Sequence, residues 1–189
     1  NSVELIVVAN GCTDNTYAYV EYLKTAIPRF KLVWDNKPLG YAKAVNAGIN
    51  VAKEDNIVLL NNDTILLEQP KNLWLQMLEA PFLQDATVGI SGPIVQYSKD
   101  AAHEFCVFFC AMIHRKVFNT IGLLSEEYEV GTGEDVDFCI QATRARYKVV
   151  ECVPKQLQGT EFYVGGFPIY HVGEGTLHNT ELVQNFNSI

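Results

Sequence analysis

One apolar segment that ends in an aspartate-containing turn constrains the fold of this chain more than any other feature. Residues 57–60 are all apolar, and they lead directly into Asn-Asn-Asp-Thr at residues 61–64. Such a short apolar run predicts a strand buried on both faces of a parallel sheet. Ligands of open α/β sheets bind just beyond the carboxyl ends of such strands. Asp63 is therefore a candidate ligand for a hard cation, and the alternative is an ordinary turn.

Patterns typical of strands and helices alternate through the first half of the chain. Strand patterns occupy residues 3–9, 31–34, 57–60 and 88–91, with helical patterns between them. Thr13 or Asp14 can cap the first helix, and a turn at residues 36–40 precedes the second. This alternation predicts an α/β fold with a mainly parallel central sheet flanked by helices.

The second half of the chain is less regular. Residues 105–113 are strongly apolar, and their length and aromatic content favour a strand over a buried helix. Helices are predicted from near Arg115 and from Glu134, followed by a final strand at residues 148–153. Residues 156–189 are expected to be rich in loops. No repeat or linker interrupts the 189 residues, which suit a single domain.

The charge and the cysteines restrict the partners and the compartment. A net charge of −8 argues against binding to nucleic acid or to an anionic membrane, which requires a basic surface. No apolar run approaches the roughly 18 residues of a membrane span. The five cysteines are scattered without paired spacing, which favours reduced core thiols in a cytoplasmic protein over a zinc site or disulfides. An acidic protein can still bind an anionic substrate when a divalent cation screens the charge.

The loop after the first strand carries a possible nucleotide-binding sequence. No GxGxxG motif follows that strand, and no GxxxxGK[ST] motif occurs in the chain. Residues 10–14 instead read Asn-Gly-Cys-Thr-Asp. Asn10 and Asp14 lie at a strand's carboxyl end beside a helix N-terminus, where a base or ribose can bind. A plain capped turn explains the same residues equally well.

An acidic cluster and a histidine are the remaining candidates for chemistry. Glu134, Asp135 and Asp137 follow Gly133 at the start of a predicted helix. Carboxylates there stabilise a helix dipole, but in a site with little water one of them can act as a general base. His171 precedes a Gly-Glu-Gly sequence at residues 173–175, which predicts a flexible loop able to close over a ligand. His171 is then a candidate metal or phosphate ligand, or simply a surface or core residue.

Taken in order, these segments resemble the motifs of the family 2 glycosyltransferases of the GT-A fold, and in particular of rhamnosyltransferase-like members. Four segments carry the resemblance, and they lie at residues 7–14, 36–48, 60–64 and 133–139. They correspond to the family's strand with Asp-Gly-Ser-Thr-Asp, its Asn-x-x-x-Gly…Ala-x-Asn-x-Gly segment, its DxD region and its Gly-Glu-Asp-x-Asp segment. The resemblance extends from Val3 to about Thr176.

The resemblance implies a GT-A fold and an inverting, metal-dependent transfer of a hexosyl or deoxyhexosyl group, as in polysaccharide biosynthesis. The donor would be a nucleotide-diphosphate sugar, and the acceptor a glycan or a lipid-linked molecule. Mn²⁺ or Mg²⁺ would be the cofactor, in a protein free in the cytoplasm or peripheral at a membrane.

Residue roles follow by the same resemblance. Asp135 would be the base that deprotonates the acceptor hydroxyl, and Glu134 would order the acceptor. Asp63 and His171 would bind the metal. The nucleotide-sugar site would include Asn10, Asp14, Gly40, Asn46 and Asn62.

Three departures from the family pattern define an alternative. The family's first N-terminal strand has no counterpart, so we expect residues 1–189 to form a single GT-A-like catalytic domain without it. Asn10 and Asn62 each stand where relatives carry an acidic residue. The alternative is therefore a degenerate, non-catalytic module that binds a nucleotide sugar or a glycan. A nucleotidyltransferase would require a Gly-rich phosphate loop with Lys or Arg after the first strand, which this sequence lacks.

Overall fold

The structure is a computed structural model and describes residues 3–128, 133–153 and 166–172. Strands and helices alternate in its first part, as the sequence pattern predicts. In chain order the elements are β1 (Leu5–Asn10), α1 (Thr16–Ala26), β2 (Phe30–Asp35), α2 (Tyr41–Val51), β3 (Asn56–Leu60), β4 (Thr64–Leu66), α3 (Leu73–Gln84), β5 (Val88–Gly92), β6 (Val95–Ser98), β7 (His103–Cys106), β8 (Cys110–His114), α4 (Arg115–Ile121), α5 (Glu134–Arg144), β9 (Lys148–Glu151) and β10 (Ile169–His171).

The first two strands form a parallel pair joined by a helix. β1 pairs with β2 from Leu5 opposite Phe30 to Asn10 opposite Asp35. Asp14 stabilises the start of α1, because its carboxylate accepts a hydrogen bond of 3.0 Å from the Thr16 backbone amide. This pair matches the parallel arrangement predicted from the sequence.

The main sheet is mixed, which corrects the expectation of a mainly parallel one. Its strand order is β3-β8-β5-β9, and β8 runs antiparallel to both β3 and β5. Only β5 and β9 are parallel within it. The predicted single strand at residues 105–113 is in fact two strands, β7 and β8. Along the chain, β5 and β8 are connected by the antiparallel pair β6–β7 and not by a helix. A parallel neighbour of β5 would require a crossover connection, usually a helix, so β8 pairs antiparallel with β5.

Apolar side chains cover the main sheet on both faces. In β8, Ala111 and Ile113 belong to one buried cluster, whereas Cys110 and Met112 belong to another. Because successive strand residues point to opposite faces, the two clusters lie on opposite sides of the sheet. The first cluster includes residues of α2, α4 and α5, and the second includes Leu78 of α3.

A short strand lies in a part of the chain that was predicted to be loop-rich. β10 pairs antiparallel with β4, with His171 opposite Thr64. Two backbone hydrogen bonds extend the pairing. The amide of Val172 donates to the carbonyl oxygen of Asp63 at 2.8 Å, and the amide of Leu67 donates to the carbonyl oxygen of Pro168 at 3.0 Å. Three residues are too few to show a strand's alternating pattern, so the sequence alone could not reveal β10. No helix among the described residues is long and apolar enough to cross a membrane.

Candidate active site

Asp63 and His171 come together because β4 and β10 pair. Asp63 Oδ1 lies 3.4 Å from His171 Nε2, and the two side chains are only 16% and 14% exposed. Neither atom has a hydrogen-bond partner, although both are buried. A buried polar atom without a hydrogen bond costs free energy, and either an ion pair between these two atoms or a ligand bound by both of them would offset that cost.

A divalent cation fits these two atoms. Carboxylate oxygen is the ligand that Mg²⁺ and Mn²⁺ prefer, and imidazole nitrogen is a common metal ligand. Within the described ranges, no group of three or more His, Cys, Asp and Glu side chains could hold a metal. A cation bound between Asp63 and His171 would therefore need further ligands from another source, such as water or a bound diphosphate.

The loop that carries Asp63 is fixed by hydrogen bonds to its neighbours. The backbone amide of Asn61 donates to the carbonyl oxygen of Phe109 at 2.8 Å. Thr64 Oγ1 donates to the carbonyl oxygen of Asn61, also at 2.8 Å. The ring of Phe109 stacks on His171, with 4.3 Å between ring centroids and an interplanar angle of 13°. Asn62 is exposed on this loop.

The acidic cluster occupies the first turn of α5, as predicted. Gly133 precedes the helix with a φ of 101°, a left-handed conformation that favours glycine. Asp137 accepts a hydrogen bond of 2.7 Å from Gln141 on the same helix. Glu134 and Asp135 are the two carboxylates that remain for other roles.

Burial raises the pKa of both Glu134 and Asp135. Glu134 is 6% exposed, its Oε2 has no hydrogen-bond partner, and the charge of Asp135 adds to the effect of burial. For Asp135, the effect of burial on the pKa is partly offset by the backbone amides of Val136 and Phe108, which stabilise the carboxylate. A carboxylate with a raised pKa is suited to accept a proton.

Tyr41 shows that both halves of the site share one region. Burial raises the pKa of Tyr41 most, and the charges of Glu134, Asp135 and Asp63 raise it further. The hydroxyl therefore lies within electrostatic reach of all three carboxylates. The contacts agree with this, because the ring of Phe108 meets Phe138 of α5 and the ring of the next residue, Phe109, stacks on His171.

Two of the predicted nucleotide residues, Asn10 and Gly40, lie on loops that a hydrogen bond connects. Asn10 Oδ1 accepts a hydrogen bond of 2.8 Å from the backbone amide of Leu39. Gly40, with a φ of 78°, immediately precedes α2. A cavity of ≈ 190 Å³ lies beside these loops, lined by Pro38, Leu39, Gly40, Ala42, Lys43, Glu126 and Tyr128.

Asn46 and Asp14, two further predicted nucleotide residues, each make contacts within the fold. Asn46 is 3% exposed. Its side-chain nitrogen donates hydrogen bonds to the carbonyl oxygen of Leu124 and to the carboxylate of Glu126. Its side-chain oxygen accepts a hydrogen bond from the backbone amide of Leu124. This arrangement anchors the loop before α5 to α2. Asp14 is exposed and bonds Thr16 at the start of α1. The contact of either residue with a nucleotide sugar stays a prediction.

Sequence reasoning did not identify Phe108 and Phe109, which contact Asp135 and His171, or Tyr41, which bonds the carbonyl oxygen of Phe108. The aromatic pair lies within an apolar stretch, where burial in the core is the ordinary interpretation. The predicted glycine-rich loop at residues 173–176 and the residues 131–132 before α5 lie outside the described residues.

Comparison with solved structures shows the fold. The mannosyltransferase PcManGT from Pyrobaculum calidifontis, solved with GDP-Man and Mn²⁺, matches 81% of this chain with a TM-score of 0.62 and 18% identity. GalNAc-T7, solved with UDP, GalNAc and Mn²⁺, matches 87% with a TM-score of 0.63 and 15% identity. The catalytic domain of Drosophila β1,4-galactosyltransferase 7, in complex with xylobiose, matches 94% with a TM-score of 0.50 and 15% identity.

This chain spans 48% of the length of PcManGT, 40% of GalNAc-T7 and 74% of the Drosophila catalytic domain. No curated protein matches the chain significantly. The profile of the family described as glycosyl transferase family 2 matches residues 1–105, which is more than half of the sequence. The α/β fold predicted from the motifs is confirmed: this chain belongs to glycosyl transferase family 2 and has the GT-A fold.

Proposed function

We propose that this chain carries the catalytic site of a metal-dependent, inverting glycosyltransferase. It would move a sugar from a nucleotide-diphosphate donor to an acceptor hydroxyl. The observation that carries the proposal is the link between the Asp63–His171 pair and the buried carboxylates of α5: Phe109 stacks on His171, and the preceding residue, Phe108, contacts Phe138 of α5. Family membership supports the same reaction class.

On the donor side, Asp63 and His171 would hold the divalent cation, with Mn²⁺ or Mg²⁺ as the candidates. When bound, such a cation neutralises the charge that develops on a departing diphosphate. Two relatives of the same fold were solved with Mn²⁺ and with GDP-Man or UDP, which supports a cation and a nucleotide donor here. Asn10, Asp14, Gly40 and Asn62 would contact the nucleotide sugar, and Asn46 would hold the adjoining loop.

On the acceptor side, Asp135 would take the proton from the attacking hydroxyl. Burial raises its pKa, which increases the basicity of the carboxylate. Attack from the face opposite the departing diphosphate inverts the anomeric carbon. Glu134, which is buried beside it, would order the acceptor.

The transferred group would be a hexose or deoxyhexose, and the acceptor a glycan or a lipid-linked molecule. A structural relative in complex with xylobiose supports a sugar acceptor. The whole chain would serve as one catalytic domain in the cytoplasm, either free or peripheral at a membrane.

Two observations favour a second candidate, a module that binds a nucleotide sugar or glycan without turnover. Asn62 brings no charge to the metal site, and the side-chain oxygen of Asn10 already bonds the Leu39 amide. Such a module would retain donor binding and lose transfer.

A thermal-shift screen of nucleotide sugars with and without Mn²⁺ tests the proposal. A donor at a hundred times its Kd raises the free energy of unfolding by about 2.7 kcal/mol, so a true ligand gives a clear shift. We expect stabilisation that requires Mn²⁺, followed by release of the nucleoside diphosphate when an acceptor is added. Stabilisation without transfer to any acceptor would favour the binding module. No stabilisation by any nucleotide sugar would contradict both the transferase and a module that binds a nucleotide sugar.

A further inference from the structure

The hydroxyl of Tyr41 holds one backbone carbonyl between the two halves of the site. It donates a hydrogen bond of 2.9 Å to the carbonyl oxygen of Phe108. Tyr41 is the first residue of α2, and its ring packs against the first apolar cluster. Because its pKa is raised by burial and by nearby carboxylates, the hydroxyl keeps its proton and acts as a donor at neutral pH.

Phe108 and Phe109 contact opposite halves of the site. The backbone amide of Phe108 stabilises the Asp135 carboxylate, and its ring meets Phe138 of α5 at 5.9 Å between centroids. The ring of Phe109 stacks on His171, and the carbonyl oxygen of Phe109 accepts a hydrogen bond from the backbone amide of Asn61. These two consecutive residues therefore connect the carboxylates of α5 to the Asp63–His171 pair.

The two phenylalanine rings are buried on opposite faces of the main sheet. Phe108 is 3% exposed in the first apolar cluster, and Phe109 is 2% exposed in the second. The segment cannot shift in one direction without withdrawing a ring from a packed core, which is unfavourable. Its remaining freedom is a rotation of the Phe108 peptide groups, and the Tyr41 hydrogen bond opposes that rotation.

We infer that Tyr41 is a positioning residue whose hydroxyl fixes the Phe108–Phe109 segment and thereby sets the geometry between Asp135 and the Asp63–His171 pair. The inference rests on the proposed function, because it takes Asp135 as the base. Tyr41 itself does not contact the reacting atoms in this assignment. It acts through the backbone of Phe108.

The chain offers a matched control in Tyr147. The ring of Tyr147 packs against the same apolar cluster. Its hydroxyl lies 2.9 Å from Thr120 Oγ1 and 3.4 Å from the carbonyl oxygen of Lys116, outside the site. Tyr147→Phe and Tyr41→Phe each remove a hydroxyl from a ring that packs against the same cluster, and only Tyr41→Phe removes it beside Phe108.

The test is an NMR pH titration of the Asp135 carboxyl in isotope-labelled protein without nucleotide. The ionisable groups whose charges interact with Asp135 are Glu134 and Cys139 on α5, Cys106 on β7 and Tyr41 on α2. In Tyr41→Phe, the Phe108 amide is no longer held toward the carboxylate, so the pKa of Asp135 should rise. In Tyr147→Phe it should not change. An unchanged pKa of Asp135 in Tyr41→Phe would overturn the inference.

A measurement on the unaltered protein covers the case in which Tyr41→Phe does not fold. The chemical shift of the Phe108 amide proton should change with pH at the same midpoint as the Asp135 carboxyl. An amide chemical shift that does not follow the ionisation of Asp135 would also overturn the inference. In transfer assays, Tyr41→Phe should lower kcat by at least about tenfold, the scale of a small misplacement, with donor affinity preserved. If the wild-type protein transfers no sugar while the titration behaves as expected, the proposed function fails and the positioning by Tyr41 stands.

Discussion

At the scale of single residues, the site concentrates buried polar atoms that lack partners. Asp63 Oδ1, His171 Nε2 and Glu134 Oε2 are three of the five such atoms among the described side chains. Each costs of order 1–3 kcal/mol when it is left unsatisfied, and a ligand that bonds these atoms would remove that cost.

Asp135→Asn tests whether Asp135 acts as the general base and not as a ligand of the cation. The amide keeps the shape of the side chain and loses its capacity to accept a proton. We expect transfer to fall by at least about a hundredfold, because that is the usual contribution of a general base. Donor binding, measured by calorimetry with Mn²⁺, should remain nearly unchanged. An equal loss of donor binding would place Asp135 on the metal side of the site.

Glu134→Gln tests the consequence of burying a carboxylate. Burial, and then the charge of Asp135, raise the pKa of Glu134 in the folded protein above its unfolded value. Its contribution to stability is therefore fully present below the unfolded pKa and is lost as pH rises through the folded pKa. At pH 7 the variant should gain about 1 kcal/mol in the free energy of unfolding, and the gain should vanish in acid.

The control for that variant is Glu127→Gln, which alters an exposed carboxylate near the same helix. Chemical denaturation at several pH values compares the three proteins. Equal stability of Glu134→Gln and the wild-type protein at every pH would show that the buried carboxylate carries no penalty.

At the scale of elements, β5 and β7 approach so closely that only glycine fits at position 92. A Cβ added to Gly92 would lie 2.2 Å from Cys106 Sγ and 3.1 Å from the Cys110 carbonyl oxygen. Gly92→Ala should therefore lower the free energy of unfolding by about 1–3 kcal/mol, the usual cost of overpacking. Thermal or chemical unfolding measures this loss.

A double-mutant cycle identifies the atom responsible. Cys106→Ala removes the sulfur atom nearest to the added methyl group, so the double variant should be more stable than the sum of the single effects predicts. The backbone of Cys110 remains close, which limits the rescue. Costs that add within about 0.5 kcal/mol would show that Gly92 and Cys106 do not compete for the same space.

The elements differ in how far the sequence alone could predict them. β1, β2, β3 and α5 follow from local apolar patterns, because each pattern is continuous and reflects burial of the element itself. The division of residues 105–113 into β7 and β8 does not, because it depends on pairing: β7 pairs with β6, whereas β8 pairs with β3 and β5. β10 is likewise defined by its pairing with β4 rather than by a pattern of its own.

The same distinction applies to the candidate site. Asp63 and Asp135 could be singled out because each follows a recognisable local context, a strand end and a helix start. The 3.4 Å approach of Asp63 to His171 depends on the β4–β10 register, and no local pattern contains it. Tyr41 acquires its contacts only when α2, α5 and the Phe108–Phe109 segment pack together.

At the scale of the whole molecule, charge requires an explanation for how a nucleotide would bind. The chain has a net charge of −8, and the site itself contains Asp63, Glu134 and Asp135. A diphosphate brought to such a site without a cation would meet repulsion from these carboxylates. We therefore expect nucleotide binding to depend strictly on the divalent cation, which Asp63 would hold.

Calorimetric titration of UDP and GDP, with Mn²⁺ and with a chelator, tests whether nucleotide binding requires a cation held by Asp63. The proteins compared are the wild type, Asp63→Ala and the matched control Glu68→Gln, whose exposed carboxylate lies just beyond β4. We predict that the wild type and Glu68→Gln bind at least one nucleotide only when Mn²⁺ is present, and that Asp63→Ala does not bind it. Equal binding with the chelator, or undiminished binding by Asp63→Ala, would contradict the account.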